Sequence, residues 1–459
     1  MKKSIASSSA GELSRTLKSR HLSMIALGGA IGAGLLVASS TAITTAGPAV
    51  IISYAIAGTI LTLVMRMLGE MASASPETGS FEAYANRFIG RWAGFTVGWL
   101  YWWFWAVTVA IEATAAAKIV HTWAPVIPQW TAAGALVLLL TALNLVTVRT
   151  YGEAEFWFSS IKIGAILAII LIGILALLGV IPNTPATLSN LSAGGGFFAN
   201  GIGAVFTAVL AVIFSLFGAE IVTVAAGESQ HPHEAVTRAV NSVVFRILLF
   251  FIGGVGITIM VIPWTSVVSG VSPFVTMFEQ VGIPYAGVAM NIVVFTALIS
   301  CLNAALYSSS RMLFAMAHTD NAPRLFAKTS RFKSPSNAVL FSSLVGFASV
   351  LLNYFMPNAV FALLVNSTGA IGIFVWLFIA VSQLRSRKIL ATQGIDVASQ
   401  PGVLKMWLFP YLNWVMIAAL AALLVFMAVT PSHRIEVLIS TVVAAIVIGL
   451  GLANSQKAR

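Results

Sequence analysis

Cysteine occurs once in the 459 residues, at Cys301, so no intramolecular disulfide can form and no thiolate cluster can hold a metal. Charge is almost as scarce: Asp, Glu, Lys and Arg together make up 8% of the chain, against 59% hydrophobic residues. No water-soluble domain of this length can bury that much apolar surface. Histidine is confined to His21, His121, His231, His233, His318 and His433, all at span ends or in loops. His231-Pro232-His233 has no neighbours to complete a ligand set and reads as solvated loop. There is no serine–histidine–acid arrangement, no Walker loop and no HExxH helix. The chain therefore reads as a non-enzyme without metal or cofactor.

What it has instead is apolar runs long enough to cross a bilayer, joined by short polar loops. Twelve spans are expected, near 22–46, 48–72, 93–121, 129–148, 156–181, 200–227, 240–263, 284–314, 337–356, 358–383, 407–430 and 434–453. The basic segment before them leads straight into the first span and is read as a cytoplasmic tail, not a cleaved signal. With that tail inside, Arg15, Lys18, Arg66, Arg87, Arg149, Lys162, Arg238, Arg311, Arg385 and Lys457 all fall toward the cytoplasm. Only Lys118 and Arg434 fall outside. The net charge of +11 is thus a topology signal, with both termini cytoplasmic, and not a nucleic-acid footprint. Two inner loops, Ala74–Arg91 and Arg311–Asn337, read as short interfacial helices.

The first span, His21 to Pro48, carries Gly28, Gly29, Gly32 and Gly34 in its middle. Each glycine in a helix interior costs on the order of 1 kcal/mol relative to Ala. Unwound backbone at membrane depth survives only where protein or a watery cavity satisfies it. The sixth span carries a second candidate break at Ser215-Leu216-Phe217-Gly218-Ala219-Glu220. The two spans run in opposite directions, five helices apart. That fits a 5+5 inverted repeat with helices 1 and 6 broken, followed by two extra helices. The expected division is a tail over 1–21, repeats over 22–181 and 200–383, two additional helices over 407–453, and a tail over 454–459.

Amides freed near Ala30, Ile31, Gly32, Ala33 and Gly34 would bind a carboxylate at the start of the outer half-helix. Carbonyls freed near Ser215, Phe217 and Gly218 would accept from an ammonium group. A zwitterion with separated charges fits this pair. The competing reading is that the glycines only let helices pack closely.

Ionisable residues inside a membrane are costly and mark function by default. Lys162, about two turns into span five, is a candidate for proton coupling or a fixed cation tying span five to span one, or else snorkels to the interface. Glu220 is a second proton-coupling candidate, or pairs with a basic residue, or caps the broken helix. Glu112, in the outer half of span three, is a gate, a substrate contact or an interhelical hydrogen-bond partner. Arg66 and Glu70, four residues apart, read as a local pair. In the aromatic run Gly98 to Trp105, Tyr101 is expected to reach toward the site.

The stretches Leu17 to Gly29, Ala46-Gly47-Pro48-Ala49, Tyr151 to Trp157 and Phe217-Gly218-Ala219-Glu220 through Glu228 resemble the bacterial amino acid permeases of the amino acid–polyamine–organocation superfamily. Within that family Gly90 to Gly94, Ser300 to Tyr307 and Ala380 to Arg385 are most similar to its γ-aminobutyrate carriers. The resemblance implies an all-α polytopic membrane protein of the LeuT type with 12 transmembrane helices in a bacterial inner membrane. It implies proton-driven uptake of a zwitterionic amino acid by alternating access, with γ-aminobutyrate the first choice of substrate. Proline, an aromatic amino acid, or amino acid exchange are the alternatives. Partners would be the amino acid, protons and the lipid bilayer, with no nucleic acid and no obligate protein partner.

Overall fold

The computed structural model describes residues 21, 24–25, 31–77, 79–146, 148–182, 184–225, 232–356, 364–365, 368, 370–397, 400, 402–431 and 433–457. Gly28, Gly29, Ala30 and His231 lie outside the described residues. Among those described there is no strand. The helices are α1 Ala33–Leu36, α2 Ser39–Ala46, α3 Val50–Ala74, α4 Phe81–Phe88 and α5 Arg91–Trp123. Then come α6 Gln129–Leu145, α7 Val148–Leu177, α8 Gly201–Leu216, α9 Ile221–Ala225, α10 Pro232–Asn241, α11 Val243–Arg246, α12 Gly254–Val261 and α13 Pro273–Gln280. The chain closes with α14 Ala286–His318, α15 Ser336–Phe355, α16 Ile371–Thr392, α17 Tyr411–Val429 and α18 Arg434–Lys457. Among the described residues, nine helical stretches are long and apolar enough to cross a membrane, the first of them Ala33–Ala74.

Two helices form the axis. α5 and α14, 33 residues each, pack against one another along their length. At 1.5 Å per residue each is about 50 Å long, well over the roughly 30 Å apolar core of a bilayer. Of the most apolar stretch of α5, 72% is buried, against 28% in α7 and 22% in α18. A helix apolar all round and enclosed by others is a core helix. α7, α17 and α18 instead present Leu171, Trp414, Val425 and Leu438 outward, the surface a lipid-facing helix needs. The short α1 and α2 pack against α8, which brings the two interrupted spans together.

Several boundaries differ from the sequence expectation. α7 starts at Val148, not near 156, because Tyr151, Gly152 and Ala154 continue the helix upstream. Glu155 is therefore inside the helix and fully buried. The segment at Phe81–Phe88 does form a helix, with Phe81, Glu82, Tyr84, Ala85 and Phe88 buried against α5 and α16 and Arg87 exposed. Arg311 is not in a loop. It is buried within α14, its guanidinium 4.3 Å from the centre of the Tyr307 ring. His233 is exposed, as expected, but lies in the first turn of the Pro232–Asn241 helix and not in a loop, with Nδ1 2.7 Å from the Ser73 carbonyl oxygen. Arg66 and Glu70 are not paired. Glu70 receives Arg387 Nε at 2.7 Å, Arg387 Nη2 at 2.5 Å, Gln383 Nε2 at 2.6 Å and the Met406 N–H at 2.6 Å. Arg66 donates to Lys405 O and Asn241 Oδ1. Each guanidinium and carboxylate found a longer-range partner that no local spacing encodes.

Candidate functional site

The first interruption lies at Ile31 and Gly32, both buried. Gly32 is extended, with φ −137° and ψ −151°, and α1 begins at the next residue. The Ala33 N–H donates to Glu112, 3.1 Å from Oε1 and 3.3 Å from Oε2. A carboxylate does sit on this freed amide, but it is the protein's own. Glu112 thus bridges α5 to the broken span, the interhelical hydrogen bond among its three expected roles. A Cβ added at Gly32 would fall 2.5 Å from Cys301 Sγ and 2.8 Å from Glu112 Oε1. One added at Gly34 would fall 2.5 Å from Ser215 Cα. Only glycine lets the first span come this close to the sixth.

The second interruption follows α8. Phe217 is extended, and Gly218 has φ +118°, a conformation that side chains oppose. The Gly218 N–H, which would have closed the next helical turn onto the Phe214 carbonyl, turns instead to Glu220, 3.1 Å from Oε1 and 3.0 Å from Oε2. Glu220 therefore caps the break from inside. Its carbonyl accepts from the Thr223 N–H and hydroxyl at 2.9 and 2.7 Å, which starts α9. Ser215 turns its hydroxyl back to Val212 O at 2.7 Å.

Around Phe217 the aromatic rings converge. Phe104 is 4.1 Å away centre to centre, Trp376 is 5.7 Å away and stacked, Tyr101 is 6.1 Å and Trp105 6.3 Å. Tyr101 also meets Phe81 of α4 edge-on at 4.6 Å. Tyr101 Oη faces Trp105 Nε1 and Ser308 Oγ, and these buried tips, like Trp376 Nε1, make no close hydrogen bond among the described residues. Buried polar groups are almost always satisfied, so these tips are candidate contacts for a bound molecule. Between Glu112, Thr108, Trp105 and Phe217 remains a cavity of about 20 Å³, room for about one water.

Lys162 is fully buried, 14 residues and so about 21 Å into α7. Its side chain is enclosed by protein and does not run along the surface. Its Nζ lies 3.9 Å from Glu155 Oε1, one helical face and two turns away. Glu155 Oε1 also accepts from Ser300 Oγ at 2.8 Å and Ser159 Oγ at 3.1 Å. The Ser159 hydroxyl is at the same time 3.0 Å from Met24 O in the first span. Below the aromatic rings, Ser80 donates to Thr223 Oγ1 at 2.8 Å, and Glu82 Oε1 accepts from Thr319 and Asn321, both at 2.8 Å. Burial pushes the Glu82 carboxyl above the usual carboxylate range, partly offset by the bonds from Asn321 and Thr319.

Ile31, Gly32, Ala33, Gly34, Tyr101, Glu112, Ser215, Phe217, Gly218 and Glu220 thus gather around one contact between the interrupted spans, and Lys162, 3.9 Å from Glu155, adjoins it through Glu112 and Cys301. Sequence reasoning missed Glu155, Cys301 as a neighbour of Gly32, and the Phe104 and Trp376 rings. For Glu155 the signal was present: it stands seven residues before Lys162, two turns along one face. Among the described residues no group of three His, Cys, Asp or Glu is placed to hold a metal.

A model of the amino acid permease family matches residues 21–454. A protein of Pseudomonas aeruginosa described as a probable GABA permease is 47% identical over 444 residues, covering 96% of this chain and 92% of that protein. The gamma-aminobutyric acid permease of Escherichia coli is 45% identical over 442 residues, 96% of this chain and 94% of the relative. The aromatic amino acid transport protein of Escherichia coli is 38% identical over 446 residues, 97% of this chain and 96% of the relative.

Proposed function

This chain belongs to the amino acid permease family, and from that premise we propose that it imports γ-aminobutyrate by proton symport and alternating access. The observation that carries the mechanism is the contact of two interrupted spans, Gly34 against Ser215, beside buried polar tips and a fully buried lysine–glutamate pair. The substrate rests on the relatives, of which those described as γ-aminobutyrate permeases are more similar than the aromatic carrier.

In this reading the fold is of the LeuT type with 12 spans, repeats over 22–181 and 200–383, and two added helices over 407–453. It lies in the inner membrane with both termini cytoplasmic. The residual cavity of about 20 Å³ cannot hold an amino acid, so the structure is a contracted state. Loading requires Glu112 to leave the Ala33 amide, and the substrate carboxylate takes its place on the amides of Gly32 to Gly34. The ammonium end then lies toward the Phe214 to Phe217 carbonyls and the rings of Tyr101 and Phe217, where both carbonyl dipoles and ring faces favour a cation. Lys162 carries the transported proton, and Glu220 holds the second break in shape as it opens and closes.

Counterflow tests this. Liposomes containing the purified protein and preloaded with unlabelled γ-aminobutyrate should take up labelled γ-aminobutyrate, and external proline or phenylalanine should not compete. Competition by phenylalanine at equal concentration would assign the site to aromatic substrates. Absence of counterflow with every amino acid tried would remove the carrier reading.

A further inference from the structure

Glu155 has a charge to hide and an oxygen with no close hydrogen bond among the described residues. It is fully buried, and Oε2 is that oxygen. The Asn303 amide, its Oδ1 held by Asn144 Nδ2 at 2.8 Å, faces Glu155 without a close hydrogen bond from its Nδ2. The Lys162 ammonium is 3.9 Å away, beyond the roughly 2.7–2.9 Å of a charge-assisted hydrogen bond. A buried ion pair kept for stability would be expected in close contact with its remaining lone pairs satisfied. This one is neither. The other titratable groups nearby are Cys301 on α14, which faces both residues, and Glu112 on α5, which faces Lys162.

We propose that Glu155 takes the transported proton from Lys162 and, through Ser159, reports its own protonation to the first span. The inference rests on the proton-symport reading above. In the step, one N–H bond of the Lys162 ammonium breaks and an O–H bond forms on Glu155 Oε1, the oxygen that faces both Nζ and Ser159 Oγ. A cation and an anion become a neutral amine and a neutral carboxylic acid, so the pair sheds both charges from a low-dielectric site. The two must first close the 3.9 Å gap or share a water. Glu155 lies seven residues, about 10 Å, nearer the α7 N-terminus than Lys162, on the side assigned to the cytoplasm. The transfer therefore moves the proton inward.

The readout is the Ser159 hydroxyl. It has one hydrogen and two acceptors in reach, Glu155 Oε1 at 3.1 Å and Met24 O at 3.0 Å. A charged Glu155 competes for that hydrogen. A protonated Glu155 does not need it, and can itself donate to Ser159 Oγ, which leaves the hydrogen to Met24 O. Loading Glu155 thus tightens the tie between α7 and the first span, and unloading loosens it.

The test compares wild type, Glu155→Gln and Ser159→Ala in proteoliposomes with labelled γ-aminobutyrate. The quantity read is accumulation under an inward proton gradient divided by counterflow without one. Glu155→Gln should lower this ratio by about tenfold or more and flatten the pH profile of counterflow. Ser159→Ala, which keeps the carboxylate, should lower the ratio severalfold. A wild-type ratio and pH profile in Glu155→Gln overturn the assignment. Should that variant fail to reconstitute, a wild-type ratio in Ser159→Ala overturns it instead. Wild-type vesicles with counterflow but no gradient-driven accumulation would remove the symport reading itself, and the inference with it.

Discussion

Substituting Gly34 with alanine puts one methyl group where the two interrupted spans touch. The added Cβ would stand 2.5 Å from Ser215 Cα, 3.0 Å from Ser215 Cβ and 3.3 Å from Ser215 N. Carbon atoms prefer about 3.5–4.0 Å, so the first span must retreat by roughly 1 Å. The obstacle is backbone on both sides, so no rotamer change relieves it. Overpacking of this kind costs about 1–3 kcal/mol. At about 1.4 kcal/mol per factor of ten, that shifts the equilibrium away from the contracted state by about 5- to 150-fold. Counterflow of γ-aminobutyrate should fall within that range, and the purified variant should melt at lower temperature. Gly164→Ala is the matched control: it lies on α7 with nothing within 4 Å of its added Cβ. Removing a helical glycine in open space is neutral or stabilising by about 0.4–1 kcal/mol. Wild-type counterflow and melting in Gly34→Ala would refute the claim that the spans must meet at this contact for the cycle to run.

Lys162→Ala should abolish gradient-driven accumulation while exchange persists, and should also lower stability by about 3 kcal/mol because Glu155 is left charged and buried; accumulation at the wild-type level would make the lysine structural. Glu70→Gln removes the anion that holds Arg387, Gln383 and the Met406 N–H, and should cost about 3 kcal/mol in thermal or denaturant unfolding. An unchanged unfolding midpoint would contradict it. Burial raises the Glu82 carboxyl above its unfolded value, so the folded protein favours the protonated form. Its contribution is present at acid pH and is lost as pH rises through the raised value. The difference in melting temperature between wild type and Glu82→Gln should therefore change with pH in that sense, and a constant difference would contradict the sign.

The interruption at Gly218 is legible because a glycine beside a carboxylate in an apolar run has no cheap helical explanation, and the helix does stop there. Glu112 and Lys162 stand out for the same reason: each is one ionisable group among apolar residues. The partners are a different matter. Glu70 with Arg387, Glu82 with Asn321, and Glu112 with the Ala33 amide join residues far apart in the chain. No periodicity encodes which helices meet, so the local pairing of Arg66 with Glu70 was the natural expectation and was wrong. Glu155 escaped because the apolar run was started one residue after it. Helix continues through polar residues when neighbours bury them, which hydropathy does not report. Phe104 and Trp376 look like ordinary core aromatics until the fold sets both against Phe217.

The central claim is that γ-aminobutyrate and a proton cross together. The most direct measurement is the internal pH of proteoliposomes carrying a trapped pH-sensitive dye, with no gradient imposed at the start. Adding γ-aminobutyrate outside should acidify the interior, faster when an inside-negative potential is applied, and the empty-liposome control should stay flat. Uptake of labelled γ-aminobutyrate with no change in internal pH would contradict the account.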